Sequence, residues 1–164
     1  MAKKNKLKLK EQEIYDELKK EQEFFFLGKE KDYEENFVEN IFEICNLLKL
    51  PKIKKIERQK RYNISNFSII IDVIVFHEDD TYSIFEIKCN NKYPASQATS
   101  QTNAIGQLLL YSSCLTEIYG AQPRLFLVDQ KINIRTMCTF SQYKLPITLL
   151  EFQKDKLFVP YRTW

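Results

Sequence analysis

Two strongly β-forming runs lie close together in the middle of the chain and are separated by a short acidic segment. The first spans Phe67 to Phe76, the second spans Tyr82 to Cys89, and both are rich in β-branched and aromatic residues. The segment Glu78-Asp79-Asp80-Thr81 between them is typical of a turn. This pattern predicts a β-hairpin in which residues equally distant from Asp79 lie opposite one another.

Helical spacing of apolar residues predicts two helices before this hairpin. The first runs from Leu9 to Leu27. The second begins at Asp32, whose side chain is expected to cap it with Glu35 in the capping-box position, and continues to about Lys49 before Pro51. Its predicted buried stripe is Phe37, Val38, Ile41, Cys45 and Leu48.

The remaining pattern completes an α/β fold. A further strand is expected within Ile53 to Tyr62, a long helix from Gln101 to Tyr119 before Gly120, and strands at Leu125 to Val128 and Ile132 to Phe140. Helices and strands in this order predict a mixed sheet flanked by helices. A length of 164 residues fits one domain. We expect residues 1–30 to form a basic segment with an extra N-terminal helix, and residues 31–164 to form the domain.

Three charged residues of the hairpin are expected to meet. Asp72 lies in a strand with three apolar residues on each side, where an ionised carboxylate is costly unless something compensates its charge. Symmetry about Asp79 places Asp72 opposite Glu86, and Lys88 shares a face with Glu86 because strand side chains alternate. Two carboxylates and one ammonium group therefore converge on one point of the sheet.

Such a cluster is suited to a divalent cation. Neighbouring carboxylates repel one another unless a cation bridges them, and Mg²⁺ prefers hard oxygen ligands. The carbonyl of Ile87 is a further oxygen at this point, and Lys88 is placed to polarise a water or to stabilise a phosphate. The alternative interpretation is a structural salt-bridge cluster on an exposed sheet face.

Asp72, thirteen residues and then Glu86-Ile87-Lys88 resemble the hallmark of the PD-(D/E)xK nuclease superfamily, here without the proline before Asp72. The first helix of that fold often supplies a glutamate followed by apolar residues three, four and seven positions later. Glu34 is similar in this respect, with Glu35 and Glu39 as competitors. Gln107 and Tyr111 resemble the Gln-x-x-x-Tyr element of the RecB-like branch.

This resemblance implies a restriction-endonuclease-like fold with the order α-β-β-β-α-β, and a nuclease that uses Mg²⁺, with Mn²⁺ as a substitute. It implies that Glu34, Asp72, Glu86 and the Ile87 carbonyl hold the metal. Lys88 would be the catalytic cation and Gln107 a positioning group. The expected substrate is DNA, in a phage, mobile-element or defence setting. RNA cleavage, a homodimer, and a catalytically silent module that binds nucleic acid or a protein remain open alternatives.

The distribution of positive charge points in the same direction. The net charge is only +3, but the segment from Lys52 to Arg61 carries six basic residues against the single acid Glu57. Such a patch favours phosphate backbones, although a solvated lysine-rich surface gives the same pattern. The residues expected to contact nucleic acid are Lys54, Lys55, Arg58, Lys60, Arg61 and Tyr111.

Other classes of function are disfavoured. The four cysteines are widely spaced and His77, interpreted as a turn residue, is the only histidine, which excludes zinc sites built from several imidazoles. The cysteines are expected to be buried and reduced. No apolar run is long enough to cross a membrane, and the basic N-terminus lacks the apolar segment of a secretory signal. We therefore expect a cytoplasmic protein.

Overall fold

The computed structural model describes residues 30–89 and 94–163, where one six-stranded sheet is flanked by helices. Helices α1 to α4 span Glu30–Glu39, Ile41–Leu47, Pro94–Tyr119 and Ile134–Tyr143. Strands β1 to β6 span Ile53–Ile64, Phe67–His77, Tyr82–Ile87, Arg124–Asp129, Ile147–Gln153 and Lys156–Tyr161. The helix predicted from Leu9 to Leu27 lies outside the described residues.

The strands lie side by side in chain order from β1 to β6. Pairing is antiparallel from β1 to β3, parallel from β3 to β5, and antiparallel between β5 and β6. Parallel neighbours need a crossover, which α3 and α4 supply. The predicted mixed α/β sheet flanked by helices is confirmed, and the elements up to β4 follow the predicted order α-β-β-β-α-β.

Two apolar layers cover the two faces of the sheet. Because strand side chains alternate, Ile84 belongs to the layer under α3, whereas its neighbour Phe85 belongs to the layer under α1 and α2. Phe37 of α1 packs against Phe85, with ring centroids 5.5 Å apart. The predicted stripe on these helices is confirmed: Phe37, Ile41, Cys45 and Leu48 are buried, and Val38 packs beside them.

The predicted hairpin register is confirmed. Val73 pairs with Phe85 and Phe76 pairs with Tyr82, so every pair is symmetric about Asp79. A slip of one residue would have turned the apolar side chains of β3 to the opposite face. The register therefore fixes which charged residues of the hairpin meet.

The helix predicted from Asp32 to Lys49 is two helices. The first begins at Glu30, so the predicted Asp32 cap with its Glu35 partner is wrong. The break falls at Asn40, whose side-chain amide donates to the backbone carbonyl of Asn36 at 2.9 Å. Asparagine side chains compete in this way for backbone hydrogen bonds, which explains the interruption.

The strand predicted from Ile132 to Phe140 is also wrong, because this segment forms α4. Asn133 caps the helix, its side-chain oxygen accepting the backbone N–H of Arg135 at 2.9 Å. The buried side chains follow helical spacing at Ile132, Thr136 and Phe140. Four β-branched residues in this segment favoured the strand, but the cap and the helical spacing outweigh their intrinsic preference.

The long helix α3 begins at Pro94, seven residues before the predicted start at Gln101. Its polar first turns are stabilised by tertiary contacts, since Gln97 and Gln101 both donate to the carbonyl of Lys131. The predicted stop at Gly120 is confirmed by its left-handed φ of 72°. Strands β5 and β6 were not predicted, and β6 folds the C-terminal segment back onto the sheet.

The prediction of His77 as a turn residue is wrong. It is the last residue of β2 and is fully buried. The described cysteines form no disulfide; Cys45 and Cys114 are buried, whereas Cys138 is exposed. No described helix is long and apolar enough to span a bilayer.

Candidate active site

The hairpin brings Asp72 to the strand that carries Glu86. Asp72 immediately precedes Val73, the first residue of β2 that pairs with β3. Its Oδ2 accepts the backbone N–H of Ile87 at 2.8 Å, so a side chain replaces a ladder bond at this point. Lys88 follows on the same segment, and its Nζ lies 2.7 Å from Oε1 of Glu86. Asp72, Glu86 and Lys88 are thus neighbours, as the sequence predicts.

The carboxylate of Glu86 is buried and only half satisfied. The residue is 2% exposed, and one carboxylate oxygen bonds Lys88. The other oxygen, Oε2, has no hydrogen-bond partner among the described residues. Burial and the negative charge of Asp72 raise the pKa of Glu86 to about 7, and Lys88 offsets only part of this effect. An anionic oxygen left without a donor in a dry site is expensive.

Burial in this cluster affects the pKa values of Asp72 and Lys88 in different ways. Burial raises the pKa of Asp72 despite the opposing effects of the Ile87 N–H and the Lys88 charge. Burial by itself lowers the pKa of Lys88, but the charges of Glu86 and Asp72 outweigh it, so this pKa is raised. The ammonium group is therefore held in its charged form, while the carboxylates lack sufficient compensation.

Gln59 is a site residue that the sequence did not reveal. Its Nε2 donates to Oε2 of Glu34 at 2.9 Å and to Oδ1 of Asp72 at 3.2 Å. One amide group therefore bridges the helix carboxylate and the hairpin carboxylate. A polar residue in an exposed strand gives no signal of such a role, because it is ordinary at that position.

The backbone is irregular where Gln59 meets Asp72. Gln59 has a φ of 46°, in the left-handed region that is uncommon for residues other than glycine. On the neighbouring strand, Ile71 lies in the same core layer as Ile74, which strict alternation does not allow. β2 therefore changes face beside Asp72, and this irregularity turns the two side chains toward Glu34.

Helix α1 presents its glutamates to the site because its apolar side chains fix its rotation. Tyr33 donates its hydroxyl to the carbonyl of Phe152 at 2.8 Å, and Phe37 is buried one turn later. Glu34 consequently faces Gln59, whereas the competitors Glu35 and Glu39 are exposed.

Glu30, one turn before Glu34, was not considered from the sequence. Its charge is close enough to raise the pKa values of Glu86 and Lys88. The spacing of four residues between Glu30 and Glu34 would have placed both on one helix face.

Gln107 and Tyr111 approach the same cluster from α3. The side-chain amide of Gln107 donates to the Tyr111 hydroxyl at 3.3 Å. Burial and the negative charges of Glu86 and Asp72 raise the pKa of Tyr111 to about 12. Gln107 thus reaches the cluster through Tyr111.

The predicted basic residues of β1 pair with three different carboxylates. Arg58 bonds Glu34 at 3.2 Å and lies at the border of the cluster. Lys54 pairs with Asp80 near the hairpin turn. Lys55 and Lys60 both lie near Glu57, at 2.6 and 3.6 Å. Arg61 is exposed and has no carboxylate within 4.0 Å in the part of the chain that the structure describes.

The donor set fits a hard divalent cation held by few protein ligands. Within residues 30–89 and 94–163, no three His, Cys, Asp or Glu side chains form a ready-made metal cluster. Mg²⁺ does not need one, because it commonly binds through one or two carboxylates and completes its shell with water and phosphate. The unpartnered Oε2 of Glu86 is an oxygen that such a cation would satisfy.

Comparison with known proteins gives little beyond this geometry. No protein-family model matches the chain. No curated protein matches it either. Among solved structures, the chain is similar to a repair endonuclease from Pyrococcus abyssi, with 18% sequence identity and a TM-score of 0.47. The similarity covers 73% of this chain and 46% of that chain, so this chain spans less than half the length of its neighbour.

Proposed function

We propose that this protein is a metal-dependent nuclease that hydrolyses phosphodiester bonds in DNA. The observation that carries the proposal is the buried carboxylate of Glu86, which has one oxygen on Lys88 and the other without a partner. A structural salt bridge has no need of an unsatisfied buried anion, and this arrangement costs stability. A site that must take up a cation and a phosphate gains from it.

The residues assigned to the metal are Glu34, Asp72, Glu86 and the carbonyl of Ile87. Glu34 and Asp72 already share one bridging donor, the amide of Gln59. A cation held by these residues would supply the positive charge that the carboxylates lack and that the neutral amide of Gln59 cannot provide. When bound, Mg²⁺ or Mn²⁺ supplies positive charge that stabilises the phosphate oxygens as negative charge develops on them.

Lys88 is assigned the role of the catalytic cation. Its ammonium group is 18% exposed and is held in place by Glu86 at 2.7 Å. A fixed charge that needs no reorganisation stabilises a pentavalent phosphate more effectively than a mobile one. Lys88 would also polarise the water that attacks the phosphate.

Gln107 is assigned to positioning, through its hydrogen bond with Tyr111. Arg58 lies at the border of the acidic cluster, where its guanidinium can exchange Glu34 for a phosphate of the bound strand. We propose that these two residues orient the nucleic acid, and that Lys54, Lys55, Lys60 and Arg61 add contacts that do not depend on sequence.

The test is cleavage by the pure protein. Linear, circular and single-stranded DNA, together with RNA of the same sequence, are incubated with Mg²⁺, with Mn²⁺ and with EDTA. We expect DNA cleavage with either ion and none with EDTA or in Glu86→Gln. A Lys156→Ala variant, which changes an exposed lysine of β6, serves as the matched control and should retain full activity.

A binding module without cleavage is the competing function. The lack of three clustered metal-ligating side chains among the described residues favours it to some extent. It predicts binding to nucleic acid that is identical with and without metal, and no product under any condition. Products that form only with metal would eliminate it.

A further inference from the structure

A cavity with an aromatic wall lies near the turn of the hairpin, away from the acidic cluster. Its volume is about 540 Å³, within the range of ordinary ligand sites. The residues that line it include Lys54, Lys55, Glu57, Phe76, Tyr82 and Tyr119. None of the predicted catalytic or metal-binding residues takes part in it, so it is separate from the proposed active site.

Three rings form its wall. Phe76 stacks on Tyr82 with ring centroids 6.0 Å apart. Tyr119 crosses both, at 5.5 Å from Phe76 and 5.3 Å from Tyr82. Tyr119 is 42% exposed, whereas Tyr82 is buried and supports it from beneath. A partly exposed ring that is held in place by its neighbours is a suitable platform for another planar ring.

Two ammonium groups stand at the mouth of the cavity. Lys54 and Lys55 have side chains that are 61% and 62% exposed. The Nζ of Lys55 lies 6.0 Å from the centroid of the Phe76 ring. Lys54 pairs with the exposed carboxylate of Asp80, and an exposed pair of this kind is weak enough to be exchanged for a phosphate. The cavity therefore offers cations directly beside its stacking surface.

The cavity also contains a hydrogen-bond acceptor. The carboxylate of Glu57 is 14% exposed and accepts from Lys55 at 2.6 Å. The hydroxyl of Tyr62 lies 3.4 Å from Glu57 and 3.0 Å from the Tyr119 hydroxyl. An acceptor beside a ring suits a nucleobase, whose exocyclic amine donates in the plane of the base. Ring, acceptor and cations together match a nucleotide better than a purely apolar ligand.

The cavity lies within reach of the acidic cluster. Tyr119 follows Tyr111 by eight residues of α3, a rise of about 12 Å. Phe76 follows Asp72 by four residues of β2, a distance of about 13 Å. Consecutive nucleotides of one stacked strand are about 3.4 Å apart. A strand that starts at the cluster would therefore reach the cavity after about four nucleotides, or fewer if it is extended.

We infer that this cavity holds an unpaired base of the nucleic-acid strand whose phosphate lies at Asp72, Glu86 and Lys88. The inference rests on the proposed function for the identity of the strand. A base inside a duplex is stacked and paired, so it cannot enter without the cost of being released. The protein should therefore prefer single-stranded or frayed ends to intact duplex.

The test measures binding without cleavage. A single-stranded oligonucleotide that carries the fluorescent base 2-aminopurine is titrated with protein in EDTA. Loss of stacking on one aromatic side chain typically weakens nucleic-acid binding by about 5- to 100-fold. We expect a loss of affinity in this range for Tyr119→Ala. Tyr119→Phe, which keeps the ring, should bind like the wild type. Tyr143→Ala removes a tyrosine of α4 that is 66% exposed and should have no effect.

The outcomes separate this inference from the proposed nuclease function. If Tyr119→Ala binds the oligonucleotide like the wild type, the inference that the cavity holds a base is overturned, even when the protein cleaves DNA. If the wild type never cleaves but Tyr119→Ala loses affinity, the cavity stands and the nuclease proposal fails. Equal affinity of the wild type for duplex and single strand would overturn the inference. If adenosine monophosphate displaces the oligonucleotide at an equal concentration, the cavity would be assigned to a free nucleotide instead.

Discussion

The carboxylate of Asp72 accepts the backbone N–H of Ile87, with 2.8 Å between Oδ2 and N. This bond fixes the proposed metal ligand to the strand that carries Glu86 and Lys88. Because the donor belongs to the backbone, no substitution at Ile87 other than proline removes it. The distance between the two carboxylates is therefore set by the hairpin register, and changes at Asp72 should affect stability as well as metal binding.

Metal binding should stabilise the fold. A ligand that binds the folded state raises the melting temperature by linkage, so millimolar Mg²⁺ or Mn²⁺ should shift the melting curve upward. Asp72→Asn should abolish the shift, although its own melting temperature also falls because one donor at this point loses its acceptor. Thermal melts in EDTA and in metal provide the comparison. A wild-type curve unchanged by metal would favour the structural salt-bridge cluster.

Removing Lys88 should slow the chemical step more than it weakens binding. A single preorganised electrostatic contact is typically worth about 10²- to 10³-fold in rate. Lys88→Ala should show this loss under single-turnover conditions, with nearly unchanged DNA affinity in EDTA. Lys88→Gln should be almost as slow, because a neutral amide cannot supply the charge. Rates of Lys88→Ala within threefold of the wild type would exclude the assigned role.

Gln59 should matter most when metal is absent. Its amide is the described donor that joins Glu34 to Asp72, and hydrogen bonds to charged groups typically contribute about 1.5–3 kcal/mol, less when exposed. Gln59→Ala should therefore lower the free energy of unfolding by about 1 kcal/mol in EDTA. This difference should shrink at saturating Mg²⁺, because a bound cation would compensate the charges of the two carboxylates without the amide. Urea unfolding under both conditions measures the effect, and an equal loss in both would contradict it.

Much of the fold could be predicted from the sequence, because apolar spacing and hairpin symmetry are patterns within short segments of the chain. The meeting of Asp72 with Glu86 follows from strand pairing alone. Gln59 was missed because its role depends on a local irregularity that neither strand reveals by itself. The α4 segment was assigned wrongly because its β-branched residues favour a strand, whereas the cap at Asn133 and tertiary packing make it helical.

The basic residues should contribute unequally to DNA affinity. Each phosphate contact that is lost reduces the slope of log affinity against log salt by about one. Replacing Lys54, Lys55 and Arg58 with alanine should weaken binding to all sequences alike. Arg61→Ala should have the largest single effect, since Arg61 has no carboxylate partner among the described residues. Salt titrations of each variant measure these slopes, and an unchanged slope would mark a solvated surface.

His77 should make the fold sensitive to acid. The carbonyl of Pro51 can only accept, so Nδ1 carries the proton and Nε2 accepts from the hydroxyl of Ser83. Burial lowers the pKa of His77 below its usual value. Protonation therefore costs more in the folded state, and stability should decline as pH falls through about 6.5.

Because His77 is the only histidine, the NMR signals of its ring protons are assigned without ambiguity, and their titration reports this pKa directly. We expect a midpoint below 6.5. His77→Gln should remove most of the acid-dependent loss of stability between pH 7 and pH 5. A midpoint above 6.5, or an identical pH dependence in the variant, would refute this explanation.

Strand β1 is the outermost strand on one side of the sheet and is twelve residues long. An outer strand of this length exposes unpaired backbone groups on which a second chain can aggregate. Its lysines and arginines oppose this, because two copies aligned along β1 would bring rows of like charge together. If the protein forms a dimer to cut both strands of a duplex, the dimer should therefore use another surface. Neutralising the basic residues should reduce solubility along with DNA affinity.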